Sequence, residues 1–98
     1  MNVVASFEEA ARKQCVQLGK RIGESLAKRI MATVRLHNYG MRELDQLVEG
    51  SIDKVRRELL ETGACEHDVE VICGVIYAAL IEKGKEIATS WSAEGGHA

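Results

Sequence analysis

Val71-Ile72-Cys73-Gly74-Val75-Ile76-Tyr77-Ala78-Ala79-Leu80-Ile81 is an eleven-residue run without a charge. It is too short to cross a bilayer, which takes roughly 20 apolar residues. As a helix it is apolar on every side, so every side needs a cover. A chain of 98 residues forms one domain and has few elements with which to provide that cover. What lies on either side of this run therefore decides how the chain is built.

The run belongs to a helix expected over about 66–91. Acids at Glu66, Asp68 and Glu70 suit the positive end of its dipole. Its main face is Val69, Ile72, Cys73, Ile76, Leu80, Ile87 and Trp91. Val71, Val75 and Ala78 form a second face, which Tyr77 and Ile81 extend.

Upstream, a helix is expected over about 41–62. Met41, Leu44, Val48, Ile52, Val55 and Leu59 form a single narrow stripe with Leu47 at its margin, and charges surround the rest. One side of this helix is packed and the other is wet. Gly63 lies just past its end, where a left-handed residue closes a helix. Asn38 and Gly40 are suited to the turn that precedes it.

The first helix is expected over about 7–37, opened by a capping box in which Ser6 and Glu9 exchange hydrogen bonds. Phe7, Ala11, Cys15, Leu18, Ile22 and Leu26 share an arc of roughly 100°. A second face carries Val16, Gly19, Gly23, Ala27, Ile30 and Val34. Each glycine costs a helix about 1 kcal/mol relative to alanine, yet their i, i+4 spacing makes a groove for a close backbone approach. Arg29 falls within the first apolar arc, so it must reach the edge or meet a carboxylate. Residues 1–5 read as a flexible leader, 6–91 as one helical domain and 92–98 as a disordered tail.

The whole is an all-α, three-helix chain forming a thin bundle, completed by a homodimer with the first and third helices in the interface. Gly19, Gly23, Ala27, Ile30, Val34, Val71, Val75 and Ala78 are the expected interface residues, for the dimer or for another partner. Lys20, Arg21, Lys28, Arg29 and Arg35 are the expected charged contacts. Residues 1–40 carry seven bases against three acids, and residues 41–98 carry six against twelve, so intersubunit attraction is available.

Catalysis and cofactors find little support. Cys65, His67, Asp68, Glu70 and Cys73 supply metal-ligand types, but the paired spacings of a zinc site do not occur. His37 and His67 fall in turns and His97 in the tail, away from any implied pocket, and no phosphate loop follows a strand. The chain is therefore expected to be neither an enzyme nor a cofactor or metal carrier. Nucleic acid could use the basic row of the first helix, although the overall balance is acidic and no stacking aromatics interleave the bases. No basic-then-apolar signal opens the chain, so a cytoplasmic, non-membrane location is expected. Three irregularly spaced cysteines fit a reducing compartment.

The functional expectation is a small regulatory protein, of the inhibitor or anti-activator type, that sequesters a protein partner such as a transcription regulator through apolar helix faces. A secretion or assembly chaperone and a nucleic-acid-associated protein are the alternatives.

Overall fold

The computed structural model describes residues 3–95, with side chains described from Arg12 to Trp91. Three helices follow one another: α1 (Val3–His37), α2 (Met41–Glu61) and α3 (Glu66–Gly95). The all-α, three-helix expectation holds. Both outer helices are longer than expected, because neither proline nor glycine interrupts Val3–Ala5 and only the last residue of Ser92–Gly95 is a breaker. The leader is thus helical from Val3, and the tail is helical to Gly95. Ser6 lies inside α1 rather than at its cap, while the side chains of the expected capping box lie outside the described ones.

The two turns are built alike. At the end of α1, Asn38 adopts φ 55°, the amide of Tyr39 donates to Val34 O (3.0 Å) and that of Asn38 to Arg35 O (3.4 Å). At the end of α2, Gly63 adopts φ 91°, with the amide of Ala64 donating to Leu59 O (3.3 Å) and that of Gly63 to Leu60 O (3.0 Å). Each pair of bonds satisfies carbonyls that a helix end leaves open. Gly40 is the N-cap of α2 in an extended conformation, and its amide donates to Glu43 Oε2 (3.0 Å). Of the two residues suited to the first turn, Asn38 is the left-handed one.

α1 and α3 form the main pair and run in the same direction. Gly19 lies against Val75 and the Ile72 carbonyl, Gly23 against Ile76, Ala79 and Leu80, Gly84 beside Met31, and Arg35 over the Trp91 ring. Numbers rise together along both helices because α2 carries the chain back between them. The contact follows the i, i+4 row Gly19, Gly23, Ala27, Met31 and Arg35, so ridges of that spacing meet across the pair. A Cβ on Gly23 would stand 2.5 Å from the Ile76 carbonyl oxygen and 2.7 Å from Ala79 Cβ. One on Gly19 would stand 2.8 Å from Val75 Cγ1. The small-residue groove is filled by α3 of the same chain.

α2 lies over this pair and inserts Val48 and Ile52 into a core of Ala27, Ile30, Val69, Ile72, Cys73, Ile76 and Leu80. Ile76 is 0% exposed and Val69 1%. Near its C-terminal end α2 is tied to α3 by Arg56, which donates to Glu70 Oε1 (2.9 Å) and to Asp53 Oδ1 (2.8 Å). Its hydrogen bond to Glu70, and that residue's charge, hold the Arg56 guanidinium even more firmly protonated than usual. The molecule spans 61 × 27 × 14 Å, two helices deep at most.

Cys73 is buried, Cys15 half-buried and Cys65 exposed, and all three are free thiols. Burial pushes the Cys73 thiol up, and the Arg56 charge only partly opposes this. The folded chain thus holds this proton more tightly than the unfolded chain. Its contribution to stability is intact below the ordinary thiol pKa of about 8.5 and is lost as pH rises beyond it. Because the thiolate is the reactive form, iodoacetamide should modify Cys65 about a hundredfold faster than Cys73 in native protein, and at equal rates in denaturant. Mass spectrometry of timed samples reads both rates, and equal native rates would contradict the burial described.

Candidate protein-binding surfaces

Two apolar surfaces stand out among the described residues after the helices have packed. The first is on α1 and α3 alone, and no α2 residue lines it. Val71 is 48% exposed, Ala78 is exposed and Val75 half-buried, with Val16 (37%) facing them from α1. Two adjoining hollows of about 410 and 570 Å³ share Val16 and run along this strip. Lys20 and Glu24 edge it on α1, and Glu82, Lys83 and Glu86 on α3. Among the residues lining the two hollows, Arg12 and Lys20 outweigh Glu24 on α1, and Asp68, Glu82 and Glu86 outweigh Lys83 on α3, so the two edges carry opposite net charge.

The second surface is a groove of about 350 Å³ between the N-terminal half of α2 and the middle of α3. Met31 and Leu80 form part of its floor, with Leu44 and Val48 on the α2 wall and Tyr77, Ile81, Gly84 and Ala88 on the α3 wall. Met41 is 71% exposed at its mouth and Tyr77 is 52% exposed. Asp45 and Glu49 stand on the α2 rim and Lys85 on the opposite one. Tyr77 also borders a smaller hollow beside Ile52 and Arg56.

The expected interface residues divide into two groups. Gly19, Gly23, Ala27 and Ile30 are buried inside the chain, and Val34 is half-buried against the core. These five are occupied internally: α3 packs onto Gly19 and Gly23, and Ala27, Ile30 and Val34 belong to or pack against the core of the same chain. Val71, Val75 and Ala78 stay on the surface. Lys20, Arg21 and Lys28 are exposed, whereas Arg35 is exposed with its guanidinium carbon 5.3 Å from the Trp91 ring centre. Arg29 is also exposed, not drawn into an apolar face. The arc containing it is covered only as far as Ile22 and Leu26, and Leu18 (49%) and Leu36 (80%) share its open edge.

The helical period assigns Met41 to the packed stripe of α2, whereas the residue is exposed at the mouth of a groove that the stripe does not imply. A signal was present: Tyr77, Ile81, Gly84 and Ala88 recur at i, i+4, i+7 and i+11, a helical row of its own. Among the described residues, no group of three or more His, Cys, Asp or Glu side chains is placed to hold a metal ion. None of the described helices is long and apolar enough to cross a membrane.

Fold and surfaces together define the class: an all-α three-helix bundle whose described residues include apolar faces that its own helices leave uncovered. No protein-family model, curated protein or solved structure matches the chain.

Proposed function

We propose that this protein works by binding other proteins, with two copies closing their α1/α3 strips on one another and the assembly sequestering a protein partner. The observation that carries this reading is the uncovered row Val71, Val75 and Ala78 on the longest apolar run of the chain. Contiguous apolar patches of this kind mark interfaces on proteins in water. A two-fold arrangement that sets α1 of one copy over α3 of the other places the basic helix against the acidic one twice. It also turns a thin bundle into a thicker one with a closed centre. A regulatory role of the inhibitor or anti-activator type follows if the remaining groove captures a partner's helix and withholds it from its own assembly.

The test is sedimentation of wild type and of the double variant Val71→Glu/Ala78→Glu. Both positions face outward, so helix content should be unchanged. The wild type should sediment as a dimer at about 10 µM, and the double variant as a monomer, because four carboxylates cannot share a desolvated two-fold face. A wild type that stays monomeric at ten times that concentration would remove the pairing from the proposal.

A further inference from the structure

We infer that the groove between α2 and α3 is a receptor for one amphipathic helix of a different protein, apolar on one side and basic along the edge that meets α2. The inference rests on the protein-binding reading above, but it does not need the two-fold pairing. Three observations carry it.

The first is the nature of the walls. Both are helices, whose backbone groups are already bonded along the helix, so the groove offers no backbone partners to an occupant. A segment lying there must satisfy its own amides and carbonyls, and a helix does so while a strand does not. The second is size. Leu44 to Glu49 with Met41 gives about 12 Å of α2, and Tyr77 to Ala88 about 17 Å of α3, at 1.5 Å per residue. That accommodates two to three helical turns, and about 350 Å³ takes a few Leu- or Met-sized side chains. Gly84 deepens the floor, since a Cβ there would find only Met31 Sδ, at 3.9 Å.

Charge is the third. Asp45 and Glu49 are exposed, one helical turn apart, on the α2 rim. Among the described residues neither takes part in an ion pair, unlike Asp53 further along the same helix, which Arg56 engages. Two unengaged carboxylates in register select an occupant with bases at the same spacing along that edge. A second copy of this chain is the competing occupant.

The probe is a fluorescein-labelled helical peptide of about 18 residues, long enough to hold a helix, with leucines at i, i+3, i+4 and i+7 and lysines along one flank. A companion peptide carries glutamates in place of the lysines. Anisotropy titrations should show the lysine peptide binding about tenfold tighter than the glutamate peptide. Asp45→Lys/Glu49→Lys should reverse that order, and Gly84→Leu, which fills the floor, should abolish binding of both peptides. The Val71→Glu/Ala78→Glu chain should bind as the wild type does, which separates this site from the two-fold face. Equal affinity for the two peptides, an order unaffected by charge reversal, or undiminished binding to Gly84→Leu would each overturn the inference. So would a loss of self-association in Gly84→Leu, which would make the occupant a second copy.

Discussion

Gly23→Ala should destabilise the protein by roughly 1–3 kcal/mol, against the ordinary rule that alanine improves a helix by about 1 kcal/mol over glycine. The reversal comes from what surrounds the position. The added Cβ would meet the Ile76 carbonyl oxygen at 2.5 Å, Ala79 Cβ at 2.7 Å and the Leu80 amide nitrogen at 3.0 Å. Two of these three are backbone atoms, and Ala79 Cβ has no torsion through which to move aside. Relief therefore requires α1 and α3 to separate along their whole contact, which loosens the core around Ala27 and Ile76. Gly50 and Gly74 are the controls, for a Cβ there meets nothing within 4 Å. Gly50→Ala and Gly74→Ala should each stabilise by up to about 1 kcal/mol. Urea midpoints at one fixed protein concentration compare all three, since self-association would otherwise shift them. Stabilisation by Gly23→Ala comparable to that at Gly74 would mean that the two helices do not meet there.

Ile76→Ala should cost roughly 2–5 kcal/mol, a large part of what holds a domain of this size together. Ile76 is 0% exposed in the middle of α3 and is the largest fully buried side chain of the described residues. Its neighbours are on long helices, which collapse poorly onto a cavity, and this favours the upper half of the range. Tyr77→Ala, one residue away but 52% exposed, should change the midpoint little. The contrast tests which side of the apolar run faces inward. Similar losses at both positions would show that Tyr77 is also covered in solution, most directly by a partner on the α2/α3 groove.

These predictions bear on function through one property of the fold. α1 and α3 are parallel, and α2, at 21 residues, is shorter than either. A short return helix covers one side of the pair for part of its length. It leaves open the strip on the other side and a groove beside its own N-terminal half. Both interfaces proposed above arise from that shortfall, and the exposed residues on them, Val71, Ala78, Asp45 and Glu49, lie outside the core that holds the three helices together. Substitutions at Val71, Ala78, Asp45 or Glu49 should therefore separate binding from folding, while Gly23 and Ile76 do not.

Much of this architecture is legible in the residues themselves. The stripe of α2 through Val48 and Ile52 and the main face of α3 through Val69, Ile72, Ile76 and Leu80 follow from a 3.6-residue period, and all six are buried. Asn38 and Gly63 mark the turns because few residues tolerate positive φ. The close approach at Gly19 and Gly23 is equally readable as a demand for a neighbouring helix. What the pattern does not contain is whose helix it is. A groove of small residues fits an α3 from the same chain or from another copy, since the contacts are chemically the same. Only the closure of the chain through α2 brings α3 of this copy there first. The same holds for Arg29, Met41 and Tyr77. Periodicity assigns each to an apolar side, but exposure depends on how far a neighbour extends, and that is set by the lengths and relative placement of whole helices. Secondary structure and the existence of a core were thus determined locally. The identity of the uncovered faces was decided by tertiary packing, because coverage belongs to pairs of helices and not to any one of them.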